Sequence, residues 1–282
     1  MRNYRIIALD LDGTLLNSRK ELTARDRAAL EQAADRGICI VPTTGRVSSA
    51  LPAEIRELPF VRYIISVNGA QVLDRETGAV LYRAEMPWRR CVELMSYLDT
   101  LPVIYDCFMG DQAWMTASQK ALIDDFAPDE HYRRMLHEVR QSVPELKAFL
   151  AERGRDVQKV QFFIQSMQRR AELLRELPAA FPDLLVSSSV VNNIEFNDPK
   201  ANKGAALLAL AERLGVRQEE TMAFGDGLND LSMLREAGLG VAMSNACPAA
   251  LELADYVTLS CDENGVAAAI ERFCLSGREH EV

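Results

Sequence analysis

The chain lacks the features that would make it a nucleic-acid binder, a disulfide scaffold or a membrane protein. It has little positive charge: 32 Lys and Arg against 41 Asp and Glu give a formal charge of -9. An average field of that sign repels a phosphate backbone, so no nucleic-acid partner is expected. The six cysteines (Cys39, Cys91, Cys107, Cys247, Cys261 and Cys274) are scattered and include no Cys-x-x-Cys pair. Zinc and redox motifs need close spacing, so reduced and mostly buried thiols are expected. No stretch approaches the roughly 20 apolar residues needed to span a bilayer. The apolar run from Met1 to Leu11 is too short for a signal peptide and is broken by Asp10. A cytoplasmic protein without a membrane partner is the expectation.

What is present is ordinary globular composition, 48% hydrophobic and 26% charged. At roughly 150 residues per domain, the length allows two domains or one large one. Residues 5–9 form a short apolar run ending at Asp10, the signature of a buried parallel strand. Thr23, with Asp26 three residues on, signals a helix start, and Gly37 its stop. A strand over 38–41 runs into Pro42-Thr43-Thr44-Gly45-Arg46, a helix follows toward Glu57, and a third strand over 63–67 ends at Asn68-Gly69. This alternation predicts right-handed crossovers and a parallel sheet.

The rhythm then changes. Residues 70–74 and 79–83 flank Arg75-Glu76-Thr77-Gly78, a hairpin pattern. Beyond a helix near Pro87 come two strands around 103–108 and 113–116, and a mainly helical, polar stretch over 118–156. A strand over 158–165, a helix over 168–177 and a strand pair over 184–188 and 191–197 follow. Paired strands with grouped helices predict an α+β domain inserted at 84–190. From Lys203 strands at 221–224, 239–242 and 256–259 alternate again with helices, and 277–282 reads as a frayed tail.

Asp10-Leu11-Asp12-Gly13-Thr14 stands where the first strand ends, and in open parallel sheets those ends line the ligand crevice. Two carboxylates two residues apart across a glycine turn can serve one small site. One can attack phosphorus to form an acyl phosphate, and the other can protonate the leaving oxygen and then deprotonate water. The plain alternative is a capped turn whose aspartates bind backbone amides. Gly225-Asp226-Gly227-Leu228-Asn229-Asp230 also follows a strand and opens a helix. Asp226 and Asp230 offer the hard oxygen ligands magnesium prefers, or equally a helix N-cap with acidic residues in its first turn. Thr43-Thr44-Gly45-Arg46 precedes a helix and can bind a phosphoryl group there. Lys203, at its own helix start, can neutralise phosphoryl charge, although a lone lysine is more often a solvated surface residue.

With these four segments in this order, the chain resembles the haloacid dehalogenase (HAD) superfamily, and most of all the Cof-type phosphatases of the HAD-IIB branch. Ser66-Val67-Asn68-Gly69-Ala70 and Gly240-Val241-Ala242-Met243 extend the likeness to nearly the whole chain. The resemblance implies an α/β fold: a Rossmann-like core with a parallel sheet at 1–83 and 191–282, and an inserted α+β cap at 84–190 that sets specificity. It implies Asp10 as nucleophile and Asp12 as general acid/base. Mg²⁺ would be held by the carboxylates of Asp10 and Asp226 and the backbone carbonyl of Asp12. Thr44, Lys203 and Asn229 match phosphate-contacting positions, with the backbone amides of Leu11 and Gly45, while Asp230 would orient Lys203 or a metal-bound water. Lys200 rivals Lys203 for the cationic role, and Ser244 stands where a glycine is common.

The implied partner is a small phosphorylated metabolite, a sugar phosphate before a nucleotide or cofactor, acted on by a monomer or homodimer. Residues 84–190 carry 13 Lys and Arg against 16 Asp and Glu, so the insert offers no basic stripe. A phosphomutase or phosphotransferase shares the same nucleophile. A non-catalytic binding protein on the same scaffold could lose Asp10 or Asp12, and this chain has both.

Overall fold

A computed structural model describes residues 3–276 of the chain. The tail expected at 277–282 lies outside the described residues. In chain order the strands are β1 (Ile6–Leu9), β2 (Cys39–Pro42), β3 (Tyr63–Ser66), β4 (Gln71–Asp74), β5 (Val80–Arg83), β6 (Val103–Met109), β7 (Gln112–Thr116), β8 (Arg140–Val143), β9 (Lys159–Ile164), β10 (Leu185–Ser187), β11 (Asn193–Asn197), β12 (Thr221–Gly225), β13 (Leu239–Ala242) and β14 (Tyr256–Val257).

The chain divides into two compact units. One comprises Met1–Arg46, Leu51–Arg83 and Asn202–Val282, the other Val47–Ala50 and Ala84–Ala201. The first unit is built on a parallel sheet of order β14-β13-β12-β1-β2. Every residue of β1 is buried, because a parallel sheet is covered on both faces and its central strands must be apolar throughout. Ile7, Leu9, Ile40, Met222, Phe224 and Val241 join one core cluster, while Ile6, Ala8, Val41 and Ala223 join the other. The helix Ala24–Asp35 starts where expected, with the Thr23 side chain accepting from the backbone N–H of Asp26.

β3 departs from the expectation. It joins β4 and β5 in a three-stranded antiparallel sheet and touches β2 through a single parallel bridge, Thr43 to Ile65. After Ser66 the backbone turns through three left-handed residues, Val67, Asn68 and Gly69. The chain therefore folds straight back as β4, and β3 takes that neighbour as its partner.

The second unit holds a six-stranded sheet of order β10-β11-β9-β6-β7-β8, antiparallel except for β7 with β8. β8 falls inside the stretch expected to be mainly helical. The boundary drawn at 190/191 lies instead after Ala201, because β11 pairs with β9 from Asn193 opposite Phe163 to Phe196 opposite Val160. One sheet face, with Tyr105, Cys107, Phe162 and Phe196, packs on helical Leu94, Leu98, Leu173 and Leu177. Alternation sends Asp106, Gln161 and Glu195 to the other face in one cross-strand row. There Asp106 pairs with Arg140 at 2.9 Å and Glu195 with Lys159 at 3.0 Å, all four buried.

All six cysteines are free and none is exposed. Among the described residues no helix is long and apolar enough to cross a membrane.

Candidate active site

β1 lies between β2 and β12, with Leu9 opposite both Pro42 and Phe224. The residues that follow these three strands therefore emerge together: Asp10, Thr43-Thr44 and Asp226. Asp10 extends the ladder by donating its N–H to the Phe224 carbonyl at 3.0 Å. Leu11, fully buried, closes the loop by accepting from the N–H groups of Thr14 and Leu16. Gly13 has φ 94°, and a Cβ there would sit 2.6 Å from Asp226 Oδ2. Backbone sign and the closeness of the two loops both demand glycine.

Lys203 is the first residue of the helix Lys203–Arg213, whose cap is Asn202. Its side chain is 0% exposed, contrary to the solvated role a lone lysine usually has. The ammonium donates to Asp10 Oδ1 at 2.5 Å and to Asp230 Oδ1 at 2.6 Å. Lys200, its rival in the sequence, is exposed in the preceding turn. The other Asp230 oxygen accepts the N–H groups of Asp226 at 2.9 Å and Gly227 at 2.8 Å, tying the loop to the lysine. A Cβ on Gly225 would lie 2.4 Å from Asp230 Cβ, so this loop too closes only around glycine.

Asp10, Asp226 and Asp230 bring carboxylate oxygens within 4.8 Å of one another, with Lys203 as the cation bonded among them. Burial and neighbouring charge both act on Asp10 and Asp226. Burial raises the Asp10 carboxyl well above its ordinary range; Lys203 opposes the rise, and the charges of Asp230 and Asp226 add to it. Asp226 is pushed up to about 6, chiefly by burial, although the Thr14 hydroxyl donates to it at 2.7 Å. Burial disfavours the charge on Lys203, but Asp10 and Asp230 outweigh it and hold the ammonium charged. Hard oxygen donors with uncompensated charge are a donor set suited to a small divalent cation.

Asp12 has a different environment. Both its oxygens are held by the Arg46 fork, Nε to Oδ2 at 3.0 Å and Nη2 to Oδ1 at 2.8 Å. Lys20 reaches Oδ1 at 3.0 Å. Burial pulls this carboxyl upward, yet Arg46 and Lys20 prevail and hold it below the usual range. Thr44 is buried, its hydroxyl accepting from Arg46 N–H at 3.2 Å and its own N–H donating to the Ile65 carbonyl. Gly45 lies against Asn68, whose Oδ1 would be 2.7 Å from a Cβ placed there. Asn229 donates to that same oxygen at 3.3 Å.

The structure thus gathers Asp10, Asp226, Asp230 and Lys203 into one cluster, and joins Asn229 to the Thr44–Gly45 loop through Asn68. Sequence reasoning gave no role to Arg46, Lys20, Thr14, Asn68 or Asn245. Asn245 pins the first loop by donating to the Gly13 carbonyl at 2.8 Å. Arg46 and Thr14 stood inside strings already singled out, and Asn68-Gly69 marked a strand end. Nothing about Lys20 or Asn245 distinguishes them from surface residues until the chain folds.

A parallel sheet with one carboxylate-bearing loop after β1 and another after the neighbouring β12 defines an α/β core, here with a second, α+β unit. The family model of haloacid dehalogenase-like hydrolases matches residues 7–270, and the chain belongs to that family. It is 33% identical to phosphatase YwpJ of Bacillus subtilis, over 93% of this chain and 97% of that protein. It is 30% identical to the 5-amino-6-(5-phospho-D-ribitylamino)uracil phosphatase YcsE of the same organism, over 97% of each chain. A haloacid dehalogenase-like hydrolase of B. subtilis superposes with a TM-score of 0.83 at 30% identity, covering 95% of this chain and 99% of the other. One from Bacteroides thetaiotaomicron gives a TM-score of 0.80 at 31% identity, covering 96% and 99%. The chain is a phosphatase.

Proposed function

We propose that the chain is a Mg²⁺-dependent phosphomonoester hydrolase that forms an aspartyl-phosphate on Asp10 and acts on a small phosphorylated metabolite, a sugar or alditol phosphate before other classes. The observation that carries this reading is the cluster of three carboxylates around one buried lysine at the ends of parallel strands. Asp10, Asp226 and the Asp12 backbone would hold Mg²⁺, which supplies positive charge against the phosphoryl oxygens and lets Asp10 act as an anion beside two other acids.

An Asp10 oxygen attacks phosphorus, and the ester oxygen leaves with a proton from Asp12, which Arg46 and Lys20 favour as the carboxylate and which first takes that proton from solvent. Lys203, Thr44 and Asn229, with the N–H groups of Leu11 and Gly45, hold the transferring oxygens. Asp12, now a carboxylate, takes a proton from water as that water attacks the acyl phosphate, which releases inorganic phosphate and restores Asp10. Asp230 keeps Lys203 oriented throughout. The second unit would supply the contacts that select the leaving group. YcsE, the relative at 30% identity, is named for a phospho-ribityl compound, which supports a hydroxylated leaving group.

The test is phosphate release from a panel of phosphorylated sugars, alditols, nucleotides and cofactors, with Mg²⁺ and with EDTA. Magnesium-dependent release concentrated on sugar or alditol phosphates is expected. Silence across the panel from folded protein would overturn the reading, and turnover only after adding a bisphosphate would point to a mutase.

A further inference from the structure

We propose that Arg46 is a positioning residue for the acid/base carboxylate of Asp12, and that the left-handed turn at Val67–Asn68 fixes Arg46 in that task. The proposal rests on the phosphatase reading above. A general acid must present one oxygen at a defined place, and Asp12 stands three residues beyond the end of β1. The cation bonded to Asp10 and Asp230 is Lys203. Asp12 is held instead by Arg46, through two parallel bonds to its two oxygens. A guanidinium fork bound this way sets the plane of the carboxylate, which a single ammonium cannot do. Lys20, whose own backbone is left-handed at φ 65°, adds a third contact to Oδ1.

Arg46 is itself constrained from the far side. Its carbonyl accepts the N–H of Val67 at 2.9 Å, and the carbonyl of Thr44 accepts the N–H of Asn68 at 3.0 Å. These bonds grip the chain on either side of Gly45. Both donors lie at positive φ, 51° for Val67 and 56° for Asn68. For a β-branched, fully buried residue such as Val67 that conformation is a genuine outlier. Strain of this kind persists only where the surroundings over-determine it, and it gathers at functional sites. Here it aims two successive amides at the segment that carries Arg46.

The competing role is that Arg46 binds the phosphoryl group or the substrate directly. The two roles separate by leaving group, because a proton donor matters most when the departing oxygen is basic. If Arg46 positions Asp12, Arg46→Ala loses on the order of 10²-fold in the single-turnover rate of leaving-group release from an alkyl phosphate, and about tenfold or less from 4-nitrophenyl phosphate, while the later hydrolysis of the acyl phosphate slows alike for both. KM changes little for either substrate. Added guanidinium chloride restores part of the lost rate, whereas Arg46→Lys stays slow on the alkyl ester because one point charge does not set the carboxylate plane. Equal losses of the single-turnover release rate on both substrates, or a rise in KM with kcat kept, would overturn the proposal. Wild-type protein that hydrolyses neither ester would instead sink the phosphatase reading on which it rests.

Discussion

The two units each bury a cluster of charge, and the clusters differ in balance. In the second unit Asp106 faces Arg140 and Glu195 faces Lys159, two anions against two cations on one sheet face. Ser189 and Asn193 also donate to Glu195 at 2.7 and 3.1 Å, and Gln161 to Asp106 at 3.1 Å. In the first unit Asp10 and Asp230 share Lys203, and Asp226 stands beside them with no cation bonded to it among the described residues. Burial alone is therefore not the mark of chemistry in this chain. A paired cluster balances its own charge, even though Asp106 Oδ1 is buried without a hydrogen-bond partner, while an unpaired one must take up a proton or a cation, or bind a ligand that changes its charge.

The comparison can be broken most decisively at Asp10. Asp10→Asn should lower turnover by at least on the order of 10³-fold, with the far-ultraviolet circular dichroism and melting profile of folded protein retained. Near wild-type phosphate release in that variant would mean the unpaired cluster is not the reacting one. The paired cluster should respond in stability. Asp106→Ala leaves the buried Arg140 guanidinium uncompensated and should cost about 3–5 kcal/mol in urea unfolding. The double replacement Asp106→Leu with Arg140→Met should be far milder, and kcat per folded molecule should survive it. A double variant as unstable as the single one would show that the pair is more than self-balancing.

A smaller effect separates metal from structure within the first unit. Asp226→Ala should raise the Mg²⁺ concentration for half-maximal activity by about tenfold or more, read from a magnesium titration; an unchanged requirement would remove Asp226 from the ligand set. The smallest effect concerns a pair with one exposed partner. Arg62 donates to Asp74 at 2.8 Å, and that bond above all lowers the Asp74 carboxyl from 3.8 to about 2. Since the folded value lies below the unfolded one, the stabilisation is complete above about pH 4 and fades as pH falls toward 2. The stability difference between wild type and Asp74→Asn should follow that course and stay modest, because the Arg62 side chain is 46% exposed.

Much of this was legible before folding. The apolar runs before Asp10, Thr43 and Gly225 announce buried strands, and the glycines beside the aspartates announce tight turns, because both signals are local. The third strand was misassigned because periodicity says that a segment is a strand without saying which neighbour it pairs with. The left-handed turn at Val67 decided that. β8 escaped notice because Arg140-Gln141-Ser142-Val143 is short and polar, and its pairing with β7 comes from a distant part of the chain. The boundary at 190/191 split β10 from β11 for the same reason: a composition change marks a loop, but hydrogen bonding assigns the strand beyond it.

The sequence by itself determined the alternation of strands and helices, the carboxylates that follow the strand ends and the glycines their loops require, since all of these follow from residue type and spacing within a few positions. The tertiary structure decided what each charge meets. It removed Lys203 from water and placed it between residues 193 and 27 positions away along the chain. It also gave Asp12 to Arg46 across 34 residues. Those choices depend on strand order and on the closure of distant loops, so no local pattern records them.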